Sequence, residues 1–70
     1  MPKKIRELKS MLKKAGFQIQ SGGGKGSHSK WKHPQYNGSI TLAGKDGNDA
    51  KPYQEKDVKR AIRSVRNYES

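Results

Sequence analysis

The chain has 70 residues, 29% hydrophobic and 31% charged, so it has room for one small domain with a core of about a dozen side chains. It carries no cysteine, which excludes disulfides and thiolate metal sites, and it has no apolar run of the roughly 18 residues a membrane span needs. Sixteen Lys and Arg against six Asp and Glu leave a net charge of +10, an imbalance that points to a polyanionic partner, nucleic acid before anionic membrane or acidic protein.

The opening Met1-Pro2-Lys3-Lys4-Ile5-Arg6 lacks the apolar region, about 7–15 residues long, of a secretory signal. That start and the absence of cysteine fit a cytoplasmic protein. Ile5, Leu8, Met11, Leu12 and Ala15 then fall in one helical stripe about 100° wide. Pro2 suits the first turn of that helix, and Gly16 suits the position just past its end. Phe17-Gln18-Ile19-Gln20 alternates apolar and polar residues as a short strand does. Ser21 to Gly26 holds four glycines and Lys25, a loop without regular structure.

Ser27 to His33 reads as a second strand, ended by Pro34. An Asn37-Gly38 turn signal follows. Ser39-Ile40-Thr41-Leu42-Ala43 is the third strand, and Gly44 to Pro52 is a polar loop. A last helix carries Val58, Ala61, Ile62, Val65 and Tyr68 on one face, with Lys56, Lys59, Arg60 and Arg63 roughly opposite. The expected architecture is α+β: one domain over residues 1–70, helix, three antiparallel strands, helix, with both helices on one sheet face. Phe17, Ile19, Trp31, Ile40 and Leu42 are expected to supply the sheet side of the core. Gln18, Gln20, His28, Lys30, Lys32 and Thr41 would form an open, basic face.

His28 stands out chemically. Strand parity puts it beside Lys30 and Lys32 and opposite Trp31. An imidazole exchanges protons near neutral pH, and lysines around it can hold phosphates and stabilise developing negative charge. That combination permits attack of a ribose 2′-hydroxyl on the adjacent phosphate, with His28 as general base, general acid or both in turn, and with no metal or other cofactor. The competing reading is an exposed histidine that only contacts RNA. His33 is five residues further on, so a regular strand points it to the other face, and it reads as a turn-proximal residue before Pro34. Trp31 belongs in the core rather than against a base. Gly22 to Ser27 fails the P-loop template, because Gly26 separates Lys25 from Ser27. Asp46-Gly47-Asn48-Asp49 misses calcium-loop spacing, and two histidines without cysteine argue against zinc.

Several segments together carry a resemblance. They are Leu12-Lys13-Lys14-Ala15-Gly16-Phe17, Lys25-Gly26-Ser27-His28, an aromatic at Trp31, Lys32-His33-Pro34, and Lys51-Pro52 before a basic helix. In order, spacing and total length the chain resembles the HicA-type toxins of prokaryotic toxin–antitoxin pairs. The resemblance implies a fold like that of double-stranded-RNA-binding domains. It implies a metal-independent mRNA interferase silenced by a HicB-type antitoxin, with the family's histidine at His28. The chain departs from the family pattern at Ser29, where many members have a second histidine. It departs also in the run Gly22 to Gly24 and in Tyr53-Gln54-Glu55-Lys56, where members have a small residue and Thr.

The sequence is therefore read as a cytoplasmic toxin, monomeric when alone, that cleaves mRNA through His28. Lys25, Ser27, Lys30 and Lys32 are the expected RNA contacts around it, and Lys59, Arg60 and Arg63 form a second basic patch. An acidic antitoxin surface would cover the His28 face. The alternative is a non-catalytic RNA-binding module of the same fold.

Overall fold

In the computed structural model, residues 3–20 and 28–69 are described, with side chains through Arg66. Lys25 and Ser27 of the expected RNA contacts, and the Tyr68 side chain of the second apolar stripe, lie outside the described residues. The elements run α1 (Ile5–Lys14), β1 (Gln18–Ile19), β2 (His28–Lys32), β3 (Ile40–Ala43) and α2 (Pro52–Glu69). The strands form one antiparallel sheet in the order β1-β2-β3. This is the expected helix, three-stranded sheet, helix.

The first helix begins at Lys4, whose backbone N–H donates to Glu7 Oε2 at 2.8 Å, satisfying one of the donors a helix start leaves unpaired. It ends in a Schellman motif: Phe17 N–H reaches the Leu12 carbonyl at 2.9 Å and Gly16 N–H reaches Lys13 at 3.0 Å. That geometry needs the left-handed backbone that glycine adopts freely, and Gly16 has φ +98°. The His33 ring packs against this turn and against Phe17, with ring centroids 5.1 Å apart. Its Nδ1 accepts the Gln35 N–H at 3.0 Å. His33 is thus a structural prop of the β2–β3 connection.

The core gathers Ile5, Leu8 and Leu12 from α1, Phe17, Trp31, Ile40 and Leu42 from the sheet side, and Val58, Ala61 and Val65 from α2. Both helical stripes are used as their spacing requires. Ile19 is a correction: it lies directly across from Trp31 but remains 53% exposed. The reason is position, since β1 is a two-residue edge strand and no strand among the described residues pairs with its outer side. Two polar residues are buried that the apolar pattern did not mark, Ser29 and Gln54. The Trp31 indole N–H donates to Ser29 Oγ at 3.0 Å, so the largest core side chain has its polar atom satisfied.

The 44–50 loop is tied to α1. Lys9 pairs with Asp46 and Lys4 with Asp49, each at 2.6 Å. Ile5 N–H donates to the Asn48 carbonyl and Ala50 N–H to that of Lys3. The hydrogen bond from Lys9, then its charge, holds the Asp46 carboxyl below its ordinary value, with Arg6 adding to the effect.

Candidate active site

Alternation along β2 builds the site. Ser29 and Trp31 are buried, so His28, Lys30 and Lys32 project from the opposite face and are exposed. Cross-strand register adds the neighbours. Gln18 lies opposite Lys32, Thr41 opposite Lys30, and Ala43 opposite His28. Gln20 N–H donates to the Lys30 carbonyl at 2.8 Å, which places Gln20 in the same row as Lys30 and Thr41. Gln18, Gln20, His28, Lys30, Lys32 and Thr41 are all exposed, and neither helix covers this side of the sheet.

The result is a flat, open surface with one imidazole at its end, two ammonium groups along the same strand, and amide and hydroxyl groups on either side. It suits an extended polyanion better than a small enclosed substrate. A phosphate near His28 would meet cationic charge along β2, and the polar groups of Gln18, Gln20 and Thr41 can donate to sugar or phosphate oxygens. None of the residues these three strands add to the face is acidic.

The other expected contacts lie elsewhere. Lys59 and Arg63 border a shallow groove between the helices, with Met11, Ile62 and Arg66. That groove belongs to the helical layer, on the far side of the sheet from His28. Arg60 is exposed on the other flank of α2. The structure therefore brings His28, Lys30 and Lys32 together and separates them from Lys59 and Arg63.

A model of the HicA toxin of bacterial toxin–antitoxin systems matches residues 5–63. The chain belongs to the HicA toxin family. No curated protein and no solved structure matches it. As a HicA-family member the protein is the toxin of a toxin–antitoxin pair, and membership implies an antitoxin partner. The match spans the whole open face and the start of α2. No helix among the described residues is long and apolar enough to cross a membrane.

Two buried polar residues, Ser29 and Gln54, help to shape the candidate site. Ser29 follows His28 but points into the core, so a histidine there would face Trp31 rather than the open face. Gln54 fastens α2 to the sheet: its Oε1 accepts the Lys51 N–H at 2.8 Å and its Nε2 donates to the Ala43 carbonyl at 2.9 Å. A glutamine three residues after the helix-capping position was a readable signal for the first of these bonds. The second is tertiary and leaves no local trace.

Proposed function

We propose that this toxin is a metal-independent endoribonuclease that cleaves mRNA in the cytoplasm, with His28 as its acid–base residue. The observation that carries the reading is the exposure of His28 on the same open face as Lys30 and Lys32. In the reaction His28 takes the proton of a ribose 2′-hydroxyl as its oxygen bonds to the adjacent phosphorus. Lys30 and Lys32 hold the phosphates and oppose the charge that builds on their oxygens. The bond from phosphorus to the 5′-oxygen breaks, and that oxygen takes a proton from the imidazolium directly or from a water that the imidazolium reprotonates, so His28 returns to its neutral form. The products are a 2′,3′-cyclic phosphate and a 5′-hydroxyl.

Lys25 and Ser27 would add contacts beside His28, and Lys59, Arg60 and Arg63 would meet RNA that wraps past the sheet. A HicB-type antitoxin would silence the enzyme by laying an acidic surface over the His28 face. The toxin alone would be a monomer, since a charge of +10 opposes self-association.

One observation favours a non-catalytic RNA-binding module instead: His28 shares its face with no second histidine or carboxylate among the described strand residues. End-group analysis separates the two readings. RNA incubated with the protein in EDTA is expected to yield 2′,3′-cyclic phosphate ends, and a single 2′-deoxy substitution is expected to protect the bond that follows it. Intact RNA under conditions where the protein binds it would favour the binding module.

A further inference from the structure

Two large apolar side chains stand in solvent among the described residues, Ile19 and Tyr53, the latter 57% exposed. Tyr53 lies in the first turn of α2, next to Gln54. Gln54 is anchored on the carbonyl of Ala43, and Ala43 is the cross-strand partner of His28. The start of α2 is therefore fixed at the end of the sheet that carries the imidazole.

The helical repeat sets the direction of Tyr53. Gln54, Val58, Ala61 and Val65 are buried and define the side of α2 that meets the core. At about 100° per residue, Lys59, Ile62 and Arg66 fall on the flank that borders α1, where they line a groove with Met11. Tyr53, Asp57 and Arg60 fall on the opposite flank. The sheet element that α2 packs on is β3, an edge strand, so this second flank overhangs the β3 edge. Arg60 is two turns beyond Tyr53, about 10 Å along the axis.

We propose that Tyr53 is a stacking platform for a nucleobase of the RNA held on the open face, a few nucleotides from the phosphate at His28. The RNA strand leaves His28, turns over the β3 edge, sets one base against the phenol ring and meets Arg60 with a following phosphate. A flat, exposed ring gains from covering by any base, because every base has a π-face. Asp57, one turn on, repels phosphate from the space between, so base rather than backbone settles at Tyr53. Lys51 and Lys56, both exposed near the same helix start, supply the surrounding positive charge. Tyr53 acts here as a positioning residue that selects which stretch of a strand presents its phosphate to His28.

The inference rests on the RNA-binding part of the proposed function and is tested without cleavage. The probe is a short single-stranded oligoribonucleotide with 2′-O-methyl groups, which cannot attack its own phosphates, followed by fluorescence anisotropy. Tyr53→Ala is expected to raise Kd about tenfold, while Tyr53→Phe and Tyr53→Trp keep wild-type affinity. An abasic position moved along the oligonucleotide is expected to weaken wild-type binding most at one site, and to add nothing there in Tyr53→Ala. Unchanged affinity in Tyr53→Ala, or equal losses in Tyr53→Ala and Tyr53→Phe, overturns the stacking role while leaving RNA binding intact. Failure of the wild-type protein to bind the probe overturns both this inference and the RNA reading beneath it.

Discussion

The Trp31 indole donates its N–H to Ser29 two residues earlier on the same strand, at 3.0 Å and inside the core. Both side chains lie on the buried face of β2. A strand with Ser29 and Trp31 turned inward has no choice but to present His28, Lys30 and Lys32 outward. The residue that satisfies the core tryptophan is thus the immediate neighbour of the candidate catalytic histidine and points to the opposite face.

Ser29→Ala removes the acceptor and strands a buried donor. The expected loss is about 1–3 kcal/mol of folding stability. Urea denaturation monitored by Trp31 fluorescence checks it, with a lower midpoint at an unchanged slope. A midpoint equal to wild type would mean that the indole finds another partner.

Gln54 joins α2 to the sheet through the Ala43 carbonyl and closes the helix start through the Lys51 N–H. Gln54→Leu keeps the volume and loses both bonds, at an expected cost of about 1–2 kcal/mol. Amide exchange localises the effect, since the N–H groups of Gln54 and Glu55, which now reach the Lys51 carbonyl, should exchange faster relative to the rest of α2. Uniform acceleration across the chain would point to global destabilisation alone.

Gly16 cannot be replaced cheaply. A Cβ there would stand 3.0 Å from His33 Nε2, and φ is +98°. The backbone term alone costs an L-residue about 1–2 kcal/mol, and the His33 ring has limited room to give, because Phe17 and the Gln35 N–H hold it. Gly16→Ala is expected to lower the thermal midpoint. A variant as stable as wild type would show that the turn can be rebuilt without left-handed backbone.

The Lys9–Asp46 pair makes stability depend on pH. Asp46 has a folded-state pKa below its unfolded value. Its contribution is therefore fully present above the unfolded value and is lost as pH falls through the folded one. Asp46→Asn should be less stable than wild type at neutral pH, and the gap should close below about pH 4. The pair is solvent-exposed, so the gap should be small and should shrink in high salt. Thermal midpoints at several pH values and two salt concentrations check both statements; a gap independent of pH contradicts them.

Much of this molecule was legible in its residues, and the limits follow from what each pattern encodes. Spacings of three and four marked Ile5, Leu8 and Leu12, then Val58, Ala61 and Val65, because a helix must bury one stripe. Alternation set His28, Lys30 and Lys32 against Trp31, because a strand has two faces. Parity says which way a side chain points and nothing about what covers it. Ile19 points toward the core side and still meets solvent at an edge. The burial of Ser29 and Gln54 was not legible, because buried polar groups are recognised by their partners, and the Trp31 and Ala43 partners are a matter of packing. The same limit applied to the basic residues of α2. Their stripe was visible, but only the packing of α2 against β3 and α1 shows Lys59 and Arg63 on the groove side and Arg60 on the other.

The role proposed for His28 is to move the protons in RNA scission. The direct measurement is the single-turnover cleavage rate of one oligoribonucleotide by wild-type protein and by His28→Ala, in EDTA, at saturating protein. His28→Ala is expected to lose about 10²–10⁴-fold in rate with binding of the uncleaved RNA retained. Equal rates in the two proteins would contradict it.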